Sequence, residues 1–139
     1  MMKRFVLLTM MSAFLAIGGM QAQTLRNQNN SQVGSAQKDG TMRDGQNRYI
    51  GKIDQYGTVR DSQNRSVGHV ESNGTIRDGQ NRYVGKLEQD GTVRDSQNRY
   101  IGKIEQDGTV RDSQNRYIGK ARDVKREQAV IFYFFNMLR

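Results

Sequence analysis

Cysteine, proline and tryptophan are all absent from the 139 residues, and only 35% of the residues are hydrophobic. Without cysteine there is no disulfide framework and no thiol for a bacterial lipid anchor. A single histidine, His69, with no cysteine beside it cannot assemble a zinc site. The length allows one small domain. So lean an apolar content lies close to disordered compositions, and a fold must come from pattern rather than abundance.

What is present begins with a leader. Met1-Met2-Lys3-Arg4 is basic, residues 5–17 are mostly apolar, and residues 18–22 (Gly-Gly-Met-Gln-Ala) are small enough for cleavage after Ala22. That order is the secretory signal layout, and the apolar run is too short to span a bilayer comfortably. Residues 1–22 are therefore read as an export signal. The formal net charge is +8, two units of it from Lys3 and Arg4. The remainder reads as diffuse along the chain, which argues against nucleic acid as a partner.

The dominant signal is a repeat every 17 residues. It runs DGTMRDGQNRYIGKIDQ from Asp39, YGTVRDSQNRSVGHVES from Tyr56, NGTIRDGQNRYVGKLEQ from Asn73, DGTVRDSQNRYIGKIEQ from Asp90 and DGTVRDSQNRYIGKARD from Asp107. An eroded copy occupies residues 23–38, with Thr24-Leu25-Arg26-Asn27 and Val33-Gly34 in the same register. A short fixed period means one supersecondary unit used many times, none of which buries its own face alone. Asp-Gly or Asn-Gly predicts a tight hairpin turn with both central residues at positive φ. Asp-Ser/Gly-Gln-Asn predicts a longer loop, with Asp accepting from backbone amides and Asn left-handed. The segments between are β-branched and aromatic, suited to strands. A bulge at Gly51 and its equivalents would turn Ile50 and Ile53 to one side and curve the array toward closure.

Residues 39–123 are thus five β-hairpin repeats, and residues 124–139 leave the pattern. Ala129 to Phe135 is strongly apolar and reads as a final β-strand packed against or through the array. The repeats carry too many polar side chains for the lipid-facing band of a membrane barrel. Five GTVRDSQNRYIGKIE-like units between a signal and a Phe-rich end resemble the secreted five-fold β-flower repeat proteins. The resemblance implies hairpin petals about a pseudo-five-fold axis and lends no catalytic residues. The expected fold is all-β, with tandem 17-residue hairpins in a closed five-fold, β-flower or propeller-like array and an apolar C-terminal strand. The eroded copy leaves five or six units open, and it could close the ring as half a petal pairing near residues 117–120.

Catalytic chemistry should appear as a departure in one copy, because a residue common to all copies serves a common structural slot. Repeat two departs most, with Tyr56, Ser66 and His69. Ser66 and His69 lie three apart on one strand and lack a distinctive orienting acid, so they do not form a nucleophile–base pair. One carboxylate per loop is too few for calcium. We expect no catalytic residue, no metal and no cofactor. The binding candidates are Tyr49, Tyr83, Tyr100 and Tyr117 with Arg48, Arg82, Arg99 and Arg116, equivalent positions that could act together on a glycan; packing between petals is the competing role for the tyrosines. The expected function is a secreted or periplasmic, non-enzymatic structural or interaction protein, with a glycan or another envelope protein as partner. The alternatives are a multivalent carbohydrate-binding module or an outer-membrane-associated component.

Overall fold

The computed structural model describes residues 23–138. The expected export signal lies outside the described residues. Twelve short strands form six hairpins: β1 (Thr24–Asn27) with β2 (Gln32–Ala36), β3 (Thr41–Asp44) with β4 (Tyr49–Ile53), β5 (Thr58–Asp61) with β6 (Ser66–Val70), β7 (Thr75–Asp78) with β8 (Tyr83–Leu87), β9 (Thr92–Asp95) with β10 (Tyr100–Ile104), and β11 (Thr109–Asp112) with β12 (Tyr117–Arg122). Each strand pairs antiparallel with its sequence neighbours, and β1 pairs with β12 to close a barrel. The all-β closed array of hairpins is therefore as expected. Of the five or six units left open by the sequence the ring has six, because the eroded copy makes a whole hairpin. It closes the ring through Leu25 opposite Ala121 and Asn27 opposite Gly119.

The turns explain why so lean a sequence closes. At Gln37–Gly40 the Gly40 amide donates to the Gln37 carbonyl, and the Gln37 amide donates to Thr41. Gly40 sits at φ 97°, but Asp39 is not at positive φ. This is a three-residue hairpin loop with one left-handed glycine, not the two-residue turn expected, and Asp39 Oδ1 instead accepts from the Thr41 amide at 2.9 Å. In repeat two, where Tyr56 replaces Asp, Asp54 Oδ1 accepts from the Tyr56 and Thr58 amides in its stead.

Three rings of six residues line the barrel. Leu25, Met42, Val59, Ile76, Val93 and Val110 are fully buried, and Ala36, Ile53, Val70, Leu87, Ile104 and Ala121 form a second apolar ring. The third ring is glycine: Gly34, Gly51, Gly68, Gly85, Gly102 and Gly119. The bulge is displaced by one residue from its expected place. Register shifts between Tyr100 and Gly102, so Ile101 is the extra residue and Gly102 itself faces inward with Ile104. Ile50 and its equivalents are consequently only half-buried, packed against the core from the side.

The C-terminal segment is a helix, α1 (Arg126–Phe134), and not the expected strand. The reason lies in closure. Once β1 and β12 pair, no strand edge remains for residues 124–139 to join, and a segment inside the barrel must satisfy its backbone hydrogen bonds internally. A helix does so, and one enclosed by apolar wall can be apolar on every side. Ala129, Val130 and Ile131 are at most 1% exposed. Arg126 donates to the Gln89 carbonyl at 2.9 Å and Gln128 Nε2 to the Gln37 carbonyl at 3.1 Å. Those turns are three petals apart, on opposite sides of the ring, so the helix starts across the mouth and runs inward.

The glycine ring receives side chains of the segment from Phe132 to Leu138. A β-carbon on Gly34 would lie 2.9 Å from the Phe132 ring, on Gly51 2.7 Å from Leu138, on Gly68 2.6 Å from Met137, on Gly85 2.5 Å from Phe135 and on Gly119 2.8 Å from Tyr133. Gly102 meets Phe134. Six petals thus hold six side chains of the plug, one each.

Candidate functional site

With the interior filled by the chain's own end, the outer surface is where a partner would bind. Its most regular feature is the rim formed by six equivalent loops, five of them Asp-x-Gln-Asn and the first Asn27-Gln28-Asn29-Asn30. In each, the Asn is left-handed, from Asn30 at φ 64° to Asn115 at φ 66°. Asp44 Oδ1 accepts from the Gln46 and Arg48 amides, both at 2.9 Å, and Oδ2 accepts from Arg48 Nε at 2.8 Å. The same three bonds recur at Asp61, Asp78, Asp95 and Asp112. In the first petal Asn27 Oδ1 accepts from the Asn29 and Ser31 amides, so the loop survives there without the ion pair. The backbone amide of the following arginine, more than its charge, holds each carboxyl below the usual aspartate range.

This loop architecture positions the arginines. Arg48, Arg65, Arg82, Arg99 and Arg116 are tethered through Nε while their side chains stay 69–74% exposed. Next to four of them stand Tyr49, Tyr83, Tyr100 and Tyr117, 37–39% exposed, and each tyrosine pairs across its hairpin with a second arginine: Arg43, Arg77, Arg94 or Arg111. The structure therefore places all eight candidate residues on one rim, as four equivalent Arg–Tyr pairs. At the β12–β1 seam, Arg116 and Tyr117 line an open groove of about 500 Å³ with Gln28, Asp112 and Ile118. Arg65 belongs to the same ring, although Ser66 stands where its tyrosine would be.

The charge is not diffuse, as the linear sequence suggested, but sorted along the barrel axis. In five petals the loop-side half carries two arginines against one aspartate, and in the first it carries Arg26 alone. The excess at that end is reduced in three petals, where the second arginine is ion-paired with a glutamate of the opposite turn: Arg77 with Glu71 at 2.7 Å, Arg94 with Glu88 at 3.3 Å and Arg111 with Glu105 at 3.0 Å. At the opposite end lysines alternate with Asp and Glu, and Lys120 Nζ lies 3.5 Å from Asp107.

Two residues of the plug carry no signal in the sequence. Tyr133 donates to the Arg26 carbonyl at 2.6 Å and the Lys120 carbonyl at 3.3 Å, tying the plug to the closing seam. Burial raises its pKa to about 12. Gln128 sits in a polar stretch that gives no hint of its burial. Ser66 and His69 lie on the outer face, since the bulge falls between them, but no hydrogen bond joins them. Among the described residues, no group of three or more His, Asp or Glu is placed to hold a metal ion, and no helix is long and apolar enough to cross a membrane.

A family model described as 5-fold beta-flower protein matches residues 22–137. The chain belongs to the 5-fold β-flower family. Its members' description fits a small structural repeat protein, and here the repeat closes with six hairpins rather than five. No curated protein and no solved structure matches the chain.

Proposed function

We propose that this β-flower protein is an exported, non-enzymatic interaction protein that acts through its outer rim. The observation that carries the proposal is the plug. A twelve-stranded barrel has a lumen wide enough for a ligand, yet here the chain's own residues 126–138 occupy it, petal by petal. What remains for a partner is the outer surface: shallow grooves beside the helix start, lined by Ile53, Tyr56 and Lys125, and the more regular rim of tethered arginines and half-exposed tyrosines. Export rests on the basic–apolar–small leader.

Two measurements test this. Fractionation of the producing cells should find the processed chain outside the cytoplasm; a full-length cytoplasmic pool alone would refute export. The purified processed chain should bind isolated cell envelopes reversibly, and a complete lack of retention would refute the interaction role. Carbohydrate is the second reading, favoured by the repetition of Arg–Tyr pairs at one rim, since identical weak sites gain avidity from a repeating ligand.

A further inference from the structure

We propose that the loop rim binds an acidic polysaccharide, each petal's guanidinium taking one carboxylate or sulfate of the chain. This rests on the carbohydrate reading and specifies its ligand.

The first observation is orientation. In five petals an aspartate holds the guanidinium by Nε at 2.8 Å. The aspartate is itself fixed by two backbone amides of its own loop, so the tether is rigid at its root. The terminal edge of each fork faces solvent. An arginine presented this way has lost part of its side-chain freedom before a ligand arrives, and its planar edge matches a carboxylate or sulfate in two parallel hydrogen bonds. A lone exposed arginine would not be so prepared. In the Arg48 fork Nη2 also reaches Gln46 Oε1 at 3.2 Å, which steadies it further.

The second argument is spacing. Each petal adds two strands to the ring, and ordinary inter-strand spacing puts successive forks about 10 Å apart along the rim. That is close to one disaccharide, so a polysaccharide with one acidic group per disaccharide would meet one fork per repeat. The five forks run through consecutive petals from Arg48 to Arg116, and the arc is interrupted only at the first petal, where Ser31 replaces the arginine. A strand of nucleic acid has a phosphate every 3.4 Å or so along its axis and would leave most of its charges between forks.

The third observation is the company the arginines keep. Tyr49, Tyr83, Tyr100 and Tyr117, 37–39% exposed, stand next to four of the five forks, where a pyranose ring could stack, and Ser66 stands next to the fifth. All the large exposed hydrophobic residues of the described chain are tyrosines. Among the described residues, no large aliphatic or phenylalanine side chain is exposed as an interfacial anchor would require.

The test is titration calorimetry of the processed protein with hyaluronate, which carries one carboxylate per disaccharide, beside neutral dextran, single-stranded DNA and anionic phospholipid vesicles at the same salt. Hyaluronate should bind with salt-sensitive affinity and dextran should not. Changing all five rim arginines to Lys keeps the charge but removes the fork, and should weaken binding about 100-fold, the scale on which avidity is lost. Tyr83→Ala, Tyr100→Ala and Tyr117→Ala together, leaving every charge in place, should cost about 10-fold. Lys38→Gln with Lys125→Gln, at the other end of the barrel, should leave affinity within about two-fold. Far-ultraviolet circular dichroism and melting curves confirm that each variant is folded. DNA or vesicles binding as tightly as hyaluronate, or unchanged binding by the folded Arg→Lys variant, would overturn the inference. No binding to hyaluronate with envelope retention intact would remove this ligand while leaving the interaction role standing.

Discussion

The Phe135 ring lies so close to Gly85 that a β-carbon on the glycine would come within 2.5 Å of its Cζ, and equally close to the Arg94 carbonyl oxygen. Gly85 therefore answers two neighbours at once, the plug and the adjacent strand. Neither the rigid ring nor the backbone can retreat cheaply.

Alanine at this position should destabilise the barrel by about 3 kcal/mol or more, the upper range of overpacking. Gly68 makes the comparison. Its plug neighbour is the flexible Met137, and the Arg77 carbonyl is 2.9 Å from the added carbon. Gly68→Ala should cost about 1–2 kcal/mol, because a thioether can repack where a phenyl ring cannot. Urea denaturation of the two variants measures the difference; equal losses would mean that the plug does not set the glycine requirement.

The plug should also be indispensable to the barrel around it. Phe132, Phe134 and Phe135 belong to three different petals, so each supports a separate part of the ring. Changing all three to Ser removes several kcal/mol of burial from a domain whose whole stability is of order 5–15 kcal/mol. The expected outcome is loss of the cooperative melting transition and binding of a hydrophobic dye. A melting temperature within a few degrees of the parent would show that the strands close without the plug.

Much of this fold is legible in the sequence, and the failures share a cause. The 17-residue period gives the hairpins, and the Asp-x-Gln-Asn loop announces its Asx bonds and left-handed Asn47, because those depend on residues within four positions. The β-conformation expected for Ala129 to Phe135 fails because its propensity is overridden once Leu25 and Ala121 pair and the last edges vanish. The sixth petal is hard to see for a related reason. Asn27 does the work of aspartate with a different residue, a substitution that geometry reveals and letter matching conceals. The rim candidates Tyr49 to Tyr117 emerge from repetition alone. That their arginines are tethered, and that positive charge collects at one end, needs the third dimension.

Asn27 also sets up a test of the loops. Its Oδ1 makes the two backbone bonds without any arginine partner. Asp95→Asn should therefore cost little, a shift in melting temperature of a degree or two, whereas Asp95→Ala, which abandons both amides, should cost several degrees. The carboxyl's folded-state pKa lies below its unfolded value, as it does at Asp44, Asp61, Asp78 and Asp112. Its contribution is thus present above the unfolded pKa of about 4 and is lost as pH falls through the folded value. Melting temperature should be level near neutrality and drop steeply below about pH 4. Asp95→Asn should make that drop shallower, and an unchanged acid limb would show that the loop carboxylates do not govern it.

The alkaline limb belongs to Tyr133. Its hydroxyl donates to the Arg26 and Lys120 carbonyls from a half-buried site, so its ionised form would lose both bonds and face two carbonyl oxygens. Burial raises its pKa from 10.0 to about 12. A folded-state pKa above the unfolded one means full stabilisation below about pH 10, lost progressively as pH rises through the folded value. Tyr133→Phe keeps the ring against Gly119 but leaves the carbonyls without their donor, which should cost about 1–2 kcal/mol at neutral pH. The variant should then lose less further stability than the parent between pH 10 and 12, so the two melting curves converge with rising pH. The exposed tyrosines ionise in both proteins and leave this difference intact. Parallel curves across that range would mean that the seam is not held by this hydroxyl.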